Sequence, residues 1–179
     1  MATVTTPTIG VNLTTKVAGT GASFDQGNQF KLGTKVNTTD GGTYMYVHAS
    51  AAITQYDCVA IDENFEATPV TAVQALDGWF CGFAQVAFSD NDFGWVAISG
   101  SNINCSIITG VAADTTLGVP MTSLALTAGS LINYKTSHSV RVAGIVGVAA
   151  SATSVSVTPE IIATSPRFAG QALVDTTAF

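Results

Sequence analysis

The sequence predicts an all-β fold: a single β-barrel or β-sandwich domain flanked by extended N-terminal and C-terminal arms. Three observations carry the prediction. The chain is rich in Thr, Ser, Ala, Val and Gly, with only 10% charged residues. β-Branched residues and glycine resist helix and suit extended structure with turns. About ten short segments with strand character follow one another, with turn signals every dozen residues or fewer, the pattern of a sandwich or barrel. The third observation is the aromatic stretch 78–100, which holds both Trp residues and four of the nine Phe. Aromatic rings bury the most apolar area per residue, so this stretch is expected to nucleate the core.

Stretch 78–100 reads as a β-hairpin. Two aromatic and β-branched runs flank the polar turn Ser89-Asp90-Asn91-Asp92, whose side chains suit a turn. Gly78, Gly82, Gly94 and Gly100 mark bulges or close backbone approach. The expected core is Trp79, Phe80, Phe83, Val86, Trp95, Val96 and Ile98.

Taken in order, residues 1–29 form an N-terminal arm, 30–162 the β-domain and 163–179 a C-terminal tail. Residues 1–29 are Thr, Gly, Asn and Ala with few large apolar side chains, so they cannot build a core of their own. Two readings stand: a passive terminus, and an arm that becomes ordered on a neighbouring subunit by pairing with a sheet edge. In the second, Val4, Ile9, Val11 and Leu13 are the candidate interface residues, with a subunit or a capsid on the other side.

The domain opens with strand 30–36 and the turn Asp40-Gly41-Gly42, a strong hairpin signal. Strand 43–49 answers it, with Tyr44, Tyr46 and His48 on one face and Met45, Val47 and Ala49 on the other. This split predicts one buried and one more exposed face. Residues 55–62 form the next strand, turning at Glu63-Asn64-Phe65 into 66–71. Residues 71–77 are a loop or one helical turn. Further strands are expected at 102–108, 124–131, 140–148 and 154–162. Residues 115–121, punctuated by Gly118 and Pro120, read as a loop or a broken edge strand. No long helix and no internal repeat is visible.

Composition excludes several function classes. Six Lys and Arg against twelve Asp and Glu give a net charge of −6, and the cations are scattered. Binding nucleic acid through its phosphates needs clustered basic residues, so no nucleic-acid partner is expected. No apolar run is long enough to span a membrane, and no secretion signal follows Met1-Ala2-Thr3. Cys58, Cys81 and Cys105 are odd in number and form no CxxC, so they read as small buried residues.

His48 sits on an alternating strand beside tyrosines, and His138 lies between Ser137 and Ser139, with no nucleophile-elbow motif. Asp90 and Asp92 form a DxD without the downstream Glu of a calcium loop. Asp62, Glu63 and Glu66 cluster on a predicted turn, where solvated acids are ordinary. No catalytic residue, cofactor or metal is therefore expected, and the chain reads as non-enzymatic. Its weakly charged, apolar surface makes sense if other chains cover much of it.

Three pieces carry a resemblance: Phe30-Lys31-Leu32-Gly33-Thr34 leading to Asp40-Gly41-Gly42-Thr43-Tyr44-Met45-Tyr46-Val47; Gly82-Phe83-Ala84-Gln85; and Asp92-Phe93-Gly94-Trp95-Val96. Over residues 30–150 the chain resembles virion proteins of tailed bacteriophages, especially head decoration (cement) proteins. The resemblance implies a structural protein on the capsid surface of the virion, made in the host cytoplasm. It implies the major capsid protein as partner and a homo-oligomer, with a trimer favoured. No site residue is carried over from it. The alternative is a tail-fibre or receptor-binding module that recognises host surface glycans. A hydrolase on a β-scaffold ranks third.

Overall fold

Among the described residues the strands form one ten-stranded sheet whose first part rolls up into a closed five-stranded barrel. The structure is a computed structural model describing residues 11–19, 30–77, 79–107, 117–120, 128–133, 139–147 and 160–172. In chain order the elements are β1 (Lys35–Asn37), β2 (Thr43–Ala49), β3 (Cys58–Ile61), β4 (Glu66–Pro69), α1 (Ala72–Leu76), β5 (Phe80–Phe83) and β6 (Phe93–Asn104). They are followed by β7 (Leu117–Pro120), β8 (Ile132–Asn133), β9 (Ser139–Gly147) and β10 (Glu160–Ala172). The all-β prediction holds, with a barrel rather than a simple sandwich.

The barrel runs β2-β4-β3-β5-β6 and closes by antiparallel pairing of β6 with β2. Closure removes two exposed edges that would otherwise invite aggregation. The β1–β2 hairpin forms as expected, with Val36 opposite Tyr44 and Gly41 at a φ of +81° in the turn. The β3–β4 hairpin turns at Phe65, and of the two readings for 71–77, loop or helical turn, α1 realises the helical one.

Period-2 alternation sorts side chains into three cores. Met45, Val47, Val59, Ile61, Val96 and Ile98 point into the barrel with Ile53, Ala67, Ala84 and Phe88. Cys58, Ala60, Cys81, Phe83 and Ala97 face the opposite way, against Leu117, Val119, Val142, Ile145 and the helix residue Ala75. This second core lies between the barrel wall and the extension β10-β9-β7-β8. The third core, Leu13, Val36, Tyr46, Phe93 and Trp95, covers the outer face of β2 and β6. β3 is thus buried on both sides along its length, as are most of β5 and the first part of β6, whereas β4 leaves Glu66 exposed. Full burial of a Val, Ile or Phe side chain stabilises by roughly 1.5–3 kcal/mol.

Several expectations are corrected. Stretch 78–100 forms antiparallel neighbours about the polar turn, as expected, but not a regular hairpin ladder: β5 and β6 share the single pair Phe83–Ala97. The chain leaves β5 after Phe83 and crosses to pair Phe88 with Ile53 before the Ser89–Asp92 turn. Two aromatic runs flanking a polar turn look like a hairpin in sequence, but β5 finds its longer register on β3 and β6 on β2. Of the expected core, Phe83, Trp95, Val96 and Ile98 are buried. Trp79 and Val86 are half-buried, and Phe80, the first residue of β5, is 40% exposed. The two faces of β2 differ as expected: Met45, Val47 and Ala49 are buried while Tyr44 and His48 are half-buried, but Tyr46 between them is buried under the third core.

The expected strand 102–108 is no separate element. β6 continues through Gly100 to Asn104, pairing first with β2 and then with β10. Gly100 has a φ of +131°, and a Cβ there would lie 2.7 Å from Gly42 Cα, so only glycine fits this pivot. Residues 117–120 form neither a loop nor an edge strand; β7 lies between β9 and β8. The proposed tail 163–179 is strand as far as Ala172. β10 is central, paired with β6 and β9. Its register slips between Ala163 and Arg167, around the buried Pro166, because proline has no N–H for the ladder. Residues 124–127 and 154–159 of the expected strands lie outside the described residues; in the first, 128–129 form a turn and Leu131 a bridge to Ile107 rather than a strand, while 160–162 open β10.

Trp95 is 2% exposed and packs edge-on to Phe30 and tilted against Tyr46, with centroids 5.1 and 5.0 Å apart. Trp95→Ala is expected to lower stability by about 3–5 kcal/mol, read as a lower denaturation midpoint with an unchanged far-ultraviolet circular-dichroism spectrum. A midpoint unchanged by the substitution would contradict the packing described.

Candidate functional site: the strap cleft and an apolar patch

Residues 11–19 form a strap across the outer face of the barrel. Val11 is half-buried and Leu13 is buried in the third core. Both therefore pack on this chain's own domain, while Val4 and Ile9 lie outside the described residues. A turn at Asn12 sets the strap's course: its Oδ1 accepts the Thr14 N–H at 3.0 Å and the Thr14 hydroxyl at 2.8 Å.

Downstream, Val17 and Phe93 exchange two backbone hydrogen bonds of 2.8 Å each. This adds the strap to the free edge of β6, a local form of strand addition. Lys16 Nζ lies 2.8 Å from Asp92 Oδ2, and the Ser89 N–H donates to the same oxygen at 2.7 Å. The Asp92 side chain is 4% exposed, that of Lys16 40%. Burial alone would raise the Asp92 pKa, but the Lys16 hydrogen bond and charge and the Ser89 N–H outweigh it and hold it below its usual value. Gly19 closes the strap against the Asn91 carbonyl, at a distance that leaves no room for a Cβ.

Between strap and barrel lies a cleft of about 240 Å³, lined by Asn12, Thr15, Lys16, Phe30, Tyr46 and Trp95 among others. Its floor is aromatic and its rim polar, but Tyr46 and Trp95 are each only 2% exposed. The three rings spend their faces and edges on one another.

A second feature is apolar. Val73 (70% exposed), Leu76 (41%) and Phe80 (40%) stand out on α1 and the first residue of β5. Ala75, on the other side of α1, anchors the helix in the second core. Gln74 fixes the helix start: its Oε1 accepts the Thr71 N–H and hydroxyl, and its Nε2 donates to Thr68 Oγ1.

The remaining candidates are structural. Asp92 of the DxD is committed to Lys16 and Ser89. Asp62 Oδ1 accepts the N–H groups of Asn64 and Glu66, an acid-stapled turn. His48 stacks on Phe93 at 4.7 Å, with Nδ1 3.9 Å from Glu66. His138 lies outside the described residues. The three cysteines are free and buried. Burial pushes the Cys58 thiol well up, as does the neighbouring Cys81 sulfur 3.1 Å away, and burial also raises Cys105. Such thiols are poor nucleophiles. Asp57 is buried beside Gly129, and burial raises its pKa against the lowering effect of Thr54. Among the described residues no group of three His, Cys, Asp or Glu side chains could hold a metal.

Sequence reading missed the strap's specificity. The available signal was Lys16, the only cation in residues 1–30, set between Leu13 and Val17. Its partner Asp92 is far off in sequence and looks like any turn acid. No protein-family model matches the chain, and no curated protein matches it significantly.

The Asp92 carboxyl is depressed in the folded chain, so its stabilisation is fully present above the unfolded value near 3.8 and is lost as pH falls through the lower folded value. Because Lys16 is partly exposed, the ion pair contributes about 0.2–1 kcal/mol. Strap docking, followed through the amide signals of Val17 and Phe93, is expected to hold at neutral pH and weaken in acid. Asp92→Asn should remove that dependence. Weakening toward alkaline pH instead would contradict the assignment.

Proposed function

We propose that the chain is a non-enzymatic structural virion protein that binds and stabilises a phage capsid shell as a decoration (cement) protein, working as a homo-oligomer against the major capsid protein. The observation that carries this reading is the exposure of three large apolar side chains, Val73 and Leu76 on α1 and Phe80 at the start of β5. Apolar side chains so displayed on a weakly charged surface suit a protein–protein contact. A symmetric oligomer presenting one patch per subunit would grip several shell subunits at once, so modest contacts combine. The resemblance of the 30–47, 82–85 and 92–96 motifs to head decoration proteins supports the same reading.

The strap cleft favours a second reading, a tail-fibre or receptor-binding module for host glycans, since an aromatic floor with a polar rim suits a sugar ring. The low exposure of Trp95 and Tyr46 ranks it below the first.

One experiment separates them: binding of the purified protein to undecorated heads, beside binding to host surface glycans. The expected result is saturable binding to heads, reduced at least about tenfold by Val73→Asp with Leu76→Asp, a loss on the scale of one interface hot spot. Thermal unfolding should be unchanged. Glycan binding without head binding would replace the first reading with the second.

A further inference from the structure

We propose that the strap-binding edge of β6 is an exchange site, where residues 11–19 of a second copy of this chain take the place of the chain's own strap. The inference rests on the oligomeric part of the proposed function and not on the shell.

Every feature of the cleft reads this particular segment. Leu13 fills the third core, Lys16 meets Asp92, Val17 pairs with Phe93, and Gly19 fits against Asn91. A second copy carries the same segment and makes the same contacts, so exchange costs no new interface, the general route by which swapped oligomers arise. The strap is also lightly held. Asn12, Thr14, Thr15, Lys16 and Ala18 are exposed, and the cleft of about 240 Å³ lies beneath it. An element with few buried contacts opens far below the free energy of global unfolding. Release would expose the ring cluster and the Phe93 N–H and carbonyl that Val17 pairs, and these need cover. Residues 20–29 join the strap to Phe30, enough chain to span on the order of 35 Å when extended. That reach allows the strap to dock on a neighbour.

Charge exchange tests this. Lys16→Asp faces Asp92 with a like charge, and Asp92→Lys faces Lys16 with another, so each variant disfavours docking within itself and with its own kind. Mixed, each strap meets a complementary partner on the other variant. The expected result, by sedimentation velocity or native mass spectrometry, is a mixed-mass species that neither variant forms alone. Adding Leu13→Asp to the Lys16→Asp chain should reduce it at least tenfold. If either variant fails to fold alone, co-refolding the two becomes the readout, and recovery of a soluble mixed species supports exchange. No mixed species, no rescue on co-refolding, or a mixed species indifferent to Leu13→Asp would overturn the proposal. Failure here with head binding intact would remove exchange alone and leave the proposed function standing.

Discussion

Antiparallel pairing of β6 with β2 is the constraint on which the structure depends. It places Tyr44 opposite Ala97, Met45 opposite Val96 and Tyr46 opposite Trp95. It therefore closes the barrel around one set of side chains and fixes the outward direction of the other. Between Thr43 and Tyr44 the register slips, leaving Ile98 as an extra residue on β6. A bulge of this kind bends a strand and sharpens its twist. Just beyond it, Gly100 turns β6 from the barrel toward β10. One twelve-residue strand thus serves two layers, and the second core exists because β6 continues past the barrel.

The three cores follow from that geometry. A closed barrel this small fills its interior with alternate side chains and would leave the other set in water. Here the outward set is apolar on β3, β5 and β6, so it must be covered there, while β4 turns Glu66 and Thr68 outward. The extension β10-β9-β7-β8 covers the walls β3 and β5, and the strap covers β2 and the first half of β6. The strap is thus part of the fold's accounting of apolar surface. The same dependence makes it the natural element for regulation or exchange, since it carries one buried leucine and one ion pair where the extension carries a whole core.

How much was legible in the sequence differs by feature. The all-β class, the Asp40-Gly41 hairpin, the 63–65 turn and the burial of Trp95 and Val96 were readable, because each rests on local chemistry. The further partners of β5 and β6 were not, since pairing is settled by long-range register: the polar turn marks them as neighbours, but nothing local shows that β5 pairs mainly with β3 and β6 with β2. β10 was hidden by its own composition: small residues and Pro166 imitate a tail, and only its place between β6 and β9 makes them a strand. The strap's docking was illegible for a related reason. Lys16 and Asp92 stand 76 residues apart, and nothing local marks either as a partner. Exposure of Val73 and Leu76 likewise depends on which side of α1 faces the second core, decided by Ala75.

The central claim is that β6 unites barrel and extension in one cooperative unit, with the strap outside it. Native-state hydrogen exchange tests this most directly. The account predicts that the protected β6 amides on both sides of Gly100 exchange with one common opening free energy, equal to that of global unfolding, while the Val17 amide opens at lower cost. Independent opening of residues 101–104 at a lower free energy than residues 95–97, or strap protection equal to that of β6, would contradict it.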